Sequence, residues 1–309
     1  QEVVQTENSY TSQEVSITIE TVQTTIDKNL VTYYVADVYV ASPDNFKTRL
    51  ANDKFSYYGA QEPKSLSKAA GAILAVNGDY ATVHKNGFIV RNGEVYLSDL
   101  NKGVCVMYAD GTMETFDQGS YDVNAVLEKN PLHVWSFGPS LLDENGKALE
   151  EFNLAKGIGG RHPRCAIGYY EPGHYCFIVV DGRQKHSAGI KIPQLAEIFE
   201  ELGCKVAYNL DGGGSAVMII ETDKMVAPEH LQQLRAIRGV GKYQGISRHN
   251  FFTFLVQQTQ LYGFQAALHQ IKGLGVQIHF VYHGISSLFP HFPQYSTFPV
   301  PMQQRDGSG

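Results

Sequence analysis

Asn209-Leu210-Asp211-Gly212-Gly213-Gly214-Ser215 sets three consecutive glycines between two short apolar runs. Glycine loses the most backbone entropy on folding, so an ordered chain keeps three in a row where geometry requires them. The requirement is a tight turn with positive φ, or a ligand that must approach bare backbone; successive free N–H groups in such a turn form an anion site. Lys205 to Tyr208 reads as a buried strand leading in, and Ala216 to Ile220 as another leading out. On that strand Asn209 and Asp211 share one face while Leu210 faces the core. A plain glycine hairpin with a surface aspartate fits the same seven residues, so context must decide.

Three further clusters supply it. Asp181-Gly182-Arg183 ends the apolar run Tyr175 to Val180, with Ser187 and Gly189 just beyond. Arg161-His162-Pro163-Arg164 stands immediately before the strand-like run Cys165 to Gly168, and Asn77-Gly78-Asp79-Tyr80 closes Ala72 to Val76. Polar residues at the ends of buried strands are a common active-site layout, although each cluster alone reads equally as a solvated strand end.

In this order, together with Ser136-Phe137-Gly138-Pro139, these motifs make residues 30–220 resemble the phosphodiester glycosidase family. Two departures stand out: Cys165 occupies a position where many relatives carry threonine, and the family's C-terminal ending is broken. The resemblance implies hydrolysis of a sugar-1-phosphodiester at the anomeric C–O bond, releasing free sugar, for instance N-acetylglucosamine, and a phosphomonoester. A phosphate monoester has a second pKa of about 6, so it departs with little protonation and anion stabilisation matters more than acid catalysis. Asp181 and Asp211 are the expected catalytic carboxylates. Arg164, Arg183, Gly212, Gly213 and Gly214 are expected at the phosphate, and Asn77, Asp79, Asn209 and Ser215 at the sugar hydroxyls. Turn-capping for the two aspartates and a structural pairing of Arg183 with Asp181 are the plainer readings. Arg161 and His162 read as surface residues, and Ser187 lacks the Gly-x-Ser-x-Gly setting of a hydrolase nucleophile.

The resemblance implies no metal ligand and no cofactor. Two alternatives stay open: a phosphoesterase holding Mg²⁺ or Ca²⁺ on Asp79, Asp181, Asp211 and Asn209, and a non-catalytic wall or exopolysaccharide-binding protein. The implied partner is a sugar phosphodiester or phosphate-containing glycan. A secreted bacterial protein, extracellular or in the cell envelope, is the corresponding expectation. A net charge of −6 with no basic stripe argues against nucleic acid, and no apolar run approaches the ~20 residues needed to span a bilayer. Gln1 carries no signal-peptide pattern, which suggests a trimmed product. The four cysteines lack Cys-x-x-Cys spacing, and Cys165, Cys176 and Cys204 read as small core hydrophobes.

Strand signals outnumber helix signals. Val15 to Ile26 and Leu30 to Ala41 read as long strands. Phe88 to Leu97 and Val104 to Phe116 read as hairpins turning on Asn92-Gly93 and Asp110-Gly111. Helices are expected at 65–70, 121–128 and, most clearly, 192–202, between Pro193 and Gly203. The expectation is an α+β fold with a mixed, largely antiparallel sheet and flanking helices in a single catalytic domain. Residues 1–29 form a polar segment, frayed to residue 13, plus the first strand; 30–247 form the domain; 248–309 form an atypical apolar tail.

After Arg248 only Lys272, Arg305 and Asp306 are charged in 61 residues, where the chain's 18% would give about eleven. The family phrase begun by Gly245-Ile246-Ser247 breaks at Arg248-His249-Asn250, as out-of-frame translation after a one-nucleotide insertion would produce; a native apolar extension is the alternative. Sequencing the DNA near Ser247 decides between them.

Overall fold

A computed structural model describes residues 3–55, 61–79, 87–99, 102–154 and 157–220, with the backbone of 237–238 and 253–256. In chain order the elements are β1 (Val4–Gln5), β2 (Ser9–Thr11), β3 (Val15–Ile26), β4 (Asn29–Val40), β5 (Phe46–Arg49), α1 (Pro63–Ala70) and β6 (Leu74–Asn77). They continue with β7 (Phe88–Arg91), β8 (Glu94–Ser98), β9 (Val104–Tyr108), β10 (Met113–Phe116), α2 (Val123–Glu128) and β11 (Pro131–Trp135). The rest are β12 (Arg164–Glu171), β13 (His174–Val180), α3 (Ile192–Glu201), β14 (Val206–Leu210), β15 (Val217–Ile220), β16 (Ile237–Arg238) and β17 (Thr253–Val256).

Every ladder among the described residues is antiparallel, in an α+β arrangement. The principal sheet has the order β1-β2-β3-β4-β13-β12-β14. Two five-stranded sheets run β10-β9-β11-β7-β8 and β16-β15-β6-β17-β5. All of these lie in one compact unit, residues 1–259, which takes in β17 beyond the boundary expected at 247.

The principal sheet is covered on both faces, which explains why β12 and β13 read as unbroken apolar runs. Along β13, Tyr175, Phe177 and Val179 pack with Phe46, Leu74, Met107 and Trp135. Cys176, Ile178 and Val180 point the other way, onto Leu195, Ala196 and Phe199 of α3. Cys165, Cys176 and Cys204 are buried free thiols in these layers, and the sulfurs of Cys176 and Cys204 lie 3.6 Å apart. Burial of the second face also corrects the reading of Asn209, which is 1% exposed rather than facing a cleft.

The hairpin turns fall where Asn-Gly and Asp-Gly place them, with Asn92 at φ 51° and Gly93 at φ 80°. Helix α1 starts at Pro63, two residues earlier than expected, and α2 starts after Asp122, whose carboxylate accepts from the Asn124 and Ala125 N–H groups. The N-terminal segment is not frayed over residues 3–13. β1 and β2 pair onto β3 in sequence, and Tyr10 is buried, because a long strand with an open edge offers ladder hydrogen bonds to a polar segment.

Candidate functional site

Register brings the clustered motifs together. In the principal sheet Arg164 pairs with Val180 and Cys165 with Leu210, so the start of β12 meets the ends of β13 and β14. The loops at 158–163, 181–189 and 211–215 therefore share one end of the sheet. The Asn77-Gly78 end of β6 joins them: the Asp211 N–H donates to the Gly78 carbonyl at 3.1 Å, and Asn77 Nδ2 donates to the Asp211 carbonyl at 2.6 Å.

The backbone of His162 and Pro163 is the hub of this assembly. A Cβ on Gly189 would lie 2.5 Å from the His162 carbonyl carbon, and one on Gly182 2.8 Å from the Pro163 nitrogen. A Cβ on Gly212 would lie 2.7 Å from the Pro163 carbonyl oxygen. That oxygen accepts from the Gly213 N–H at 2.9 Å. Close backbone approach thus explains Gly212, and a left-handed φ of 60° explains Gly213. Gly214 is exposed, with open space where a side chain would go.

The glycine turn is not the three-donor nest expected for phosphate. The Gly213 N–H is already taken by the Pro163 carbonyl. What the turn does is hold the Asp211 carboxylate. Burial pushes Asp211 up to about 6; hydrogen bonds from Ser215 and Gly212 offset part of the rise, and the charge of Asp79 adds to it. Ser215 therefore contacts the carboxyl directly.

Asp181 is a different kind of carboxylate. Its side chain is 8% exposed, and it accepts from Gln184 Nε2 at 3.3 Å and faces His186 Nε2 at 3.1 Å. Burial raises its pKa, and the hydrogen bond and charge of His186 pull it back down. The Ser187 hydroxyl donates to the Asp181 carbonyl and accepts from the Thr32 N–H, closing the loop. Ser187 is structural.

Arg183 arrives over the glycines. Its backbone is left-handed at φ 59°, and its Nη2 lies 3.3 Å from where a Gly213 Cβ would be. The plainer reading, pairing with Asp181, does not hold: Asp181 takes Gln184 and His186, and Arg183 Nη2 faces His162 Nδ1 at 3.1 Å.

Four expected site residues face inward instead. Arg164 donates from Nε to the Ile190 carbonyl and from Nη2 to those of Ile158 and Gly160, tying loops together rather than lying open to phosphate. Burial and the charge of Arg183 lower it to about 10. Asp79 forms a wholly buried ion pair with Arg91 at 2.5 Å and accepts from the Ser136 N–H at 2.8 Å. Asn77 is fully buried between the Asp211 carbonyl and the Val217 N–H, and Asn209 Nδ2 donates to Gly138. These residues build the floor beneath Asp211, because a buried polar group needs a protein partner. Of the four ligands named for the metal alternative, Asp79 and Asn209 are taken up by protein partners. No group of three or more His, Cys, Asp or Glu suited to a metal ion occurs among the described residues.

Reading the sequence by motif missed Arg91 and His186. The signal for Arg91 was a cation closing the apolar run Phe88 to Val90. His186 lay among the unassigned residues between Arg183 and Ser187. Among the described residues no helix is long and apolar enough to cross a membrane.

Comparison with known proteins places this site in context. A family model described as phosphodiester glycosidase matches residues 70–246. The SPbeta prophage-derived uncharacterized protein YomE of Bacillus subtilis (strain 168) is 28% identical over 176 residues. That match takes in 54% of this chain and only 27% of YomE, so the chain spans about a quarter of its relative. The catalytic domain of zebrafish N-acetylglucosamine-1-phosphodiester alpha-N-acetylglucosaminidase, auto-inhibited by its pro-peptide, superposes with a TM-score of 0.61 at 18% identity. The superposition covers 80% of this chain and 84% of that one. A hypothetical protein from Synechocystis gives a TM-score of 0.54 at 12% identity, over 79% and 62% of the two chains.

Proposed function

As the chain belongs to the phosphodiester glycosidase family, we propose that it hydrolyses a sugar-1-phosphodiester at the anomeric C–O bond, giving free sugar and a phosphomonoester. One observation carries this reading: a partly buried carboxyl, Asp211, and a guanidinium, Arg183, are both held at the same glycine turn. Cleavage through an oxocarbenium-like state develops positive charge at the anomeric carbon and negative charge on the departing phosphate. A carboxylate beside the first and a guanidinium beside the second stabilise both.

Asp211 is the carboxylate assigned to the sugar carbon, with Ser215 fixing its orientation. Arg183 takes the phosphate, in place of the Arg164–Arg183 pair. Asp181 acts through the half-exposed imidazole of His186 that it orients. The name of the zebrafish protein makes N-acetylglucosamine phosphodiesters the first substrates to try.

The test is where oxygen from water ends up. Turnover in ¹⁸O-water labels C1 of the sugar if carbon is attacked, provided the product is read before anomeric exchange. Label in the phosphomonoester would mean attack at phosphorus and would overturn the proposal.

A further inference from the structure

Arg183 differs from Arg49, Arg91 and Arg161 in what holds it. Each of those three contacts a carboxylate. Among the described residues no carboxylate lies within ion-pair distance of Arg183, whose partner is the imidazole of His162. That imidazole has a determined tautomer. Its Nε2 lies 2.8 Å from the Gly157 carbonyl, which can only accept, so Nε2 carries the hydrogen. Nδ1 is left with its lone pair and accepts from Arg183.

The main chain that carries the ring is also held firmly. His162 exchanges both backbone hydrogen bonds with Ile190, at 3.2 and 3.1 Å, and Gly189 packs against its main chain. A neutral acceptor orients a guanidinium without cancelling its charge, which a carboxylate would do.

We propose that neutral His162 is the positioning residue for an anion-binding Arg183, and that protonation of His162 releases Arg183 from the glycine turn. A protonated ring presents N–H from Nδ1 to N–H from Arg183, so the contact becomes repulsive. The inference rests on the reading of Arg183 as the phosphate-binding group, and it adds a loss of anion binding in acid.

The groups around the ring allow that sign to be isolated. Burial, Arg164 and Arg183 all hold His162 below the ordinary imidazole range, outweighing the bond to Gly157. Asp211, across the turn, becomes neutral as pH falls through about 6, which strengthens anion binding. A loss of binding in acid therefore does not come from Asp211, and it is the loss of Arg183 outweighing the positive charge that the His162 ring gains.

Sulfate is the probe, because it stays a dianion between about pH 4 and 8 and adds no titration of its own. Its affinity is measured by calorimetry on the folded full chain, wild type and variants, with near-UV circular dichroism as the check on folding. Wild type should lose about tenfold or more in affinity on the acid side. Arg183→Ala should bind weakly at every pH. His162→Asn, whose amide oxygen replaces the Nδ1 acceptor and cannot take a proton in this range, should bind within a few-fold of wild type at neutral pH and keep that affinity in acid. His162→Ala should lose roughly tenfold at neutral pH, the worth of a hydrogen bond to a charged group. Retention of the acid loss in His162→Asn overturns the proposal, as does wild-type binding by folded His162→Ala or Arg183→Ala. Because the readout is binding, absence of turnover on every sugar phosphodiester would overturn the glycosidase reading and leave this one standing.

Discussion

Gly212→Ala and Gly214→Ala change neighbouring residues in the same turn by the same single methyl group, yet the structure separates them sharply. At Gly212 the new Cβ lies 2.7 Å from the Pro163 carbonyl oxygen. Ordinary contact begins near 3.4 Å, so one chain must move by about 0.7 Å. The Gly213 N–H bond to that oxygen, now 2.9 Å, would stretch past the limit for a hydrogen bond. Stranding that pair costs about 1–3 kcal/mol, and overpacking adds about 1–3 kcal/mol. The expected loss is therefore about 2–6 kcal/mol. At Gly214 nothing lies within 4 Å and φ is not positive, so the change is worth about ±0.5 kcal/mol. The chain's single tryptophan, Trp135, is fully buried and reports unfolding by fluorescence. With a urea slope of about 3 kcal/mol/M, Gly212→Ala lowers the midpoint by roughly 1 M and Gly214→Ala leaves it in place. Equal midpoints for the two variants would refute the packing argument.

Asp211→Asn should be inactive and yet more stable than wild type at neutral pH. A carboxyl raised from 3.8 to about 6 favours folding only while protonated; that contribution is full below the unfolded value and gone above the folded one. The variant's advantage therefore opens between about pH 4 and 6 and levels off at up to about 3 kcal/mol, read from urea midpoints across pH. A variant no more stable than wild type at pH ~8 contradicts the assignment. Wild-type activity should fall on the acid side near pH ~6 if the carboxylate is the working form, as a pH–rate profile will reveal. Asp79→Ala should cost about 3–5 kcal/mol in denaturant, since it strands the buried charge of Arg91, and adding Arg91→Met should recover part of the loss. Gly213→Val should abolish turnover, because a β-branched residue cannot adopt φ 60° beneath Arg183; full activity there would make the turn incidental.

Local signals carried much of the fold. Alternation in β3, the Asn92-Gly93 turn and the Pro193-to-Gly203 frame of α3 are each set by residues a few positions apart. The strand ends that meet at the site were visible as polar residues closing apolar runs. Which of those residues face outward was not visible. Asp79 and Asn77 carry the same side-chain chemistry as exposed site residues. What turns them inward is an arginine twelve positions away, a Ser136 N–H and a Val217 N–H. Arg164 looked like a phosphate ligand because nothing nearby in sequence reveals that three carbonyls surround it. His162 looked like a surface ring because its two partners, Gly157 and Arg183, lie on separate loops.

Gly182, Gly189 and Gly212 come from two loops, yet all three press on the backbone of the adjacent residues His162 and Pro163. Substitutions at the three positions will consequently show epistasis rather than independent effects. Once one added methyl group has displaced that stretch of backbone, a second meets a neighbour already moved, and the double variant loses less than the two singles combined. The same coupling governs how such a site drifts over time. The three glycines form one unit of inheritance, retained together or lost together, while Gly214, with open space beside it, varies alone.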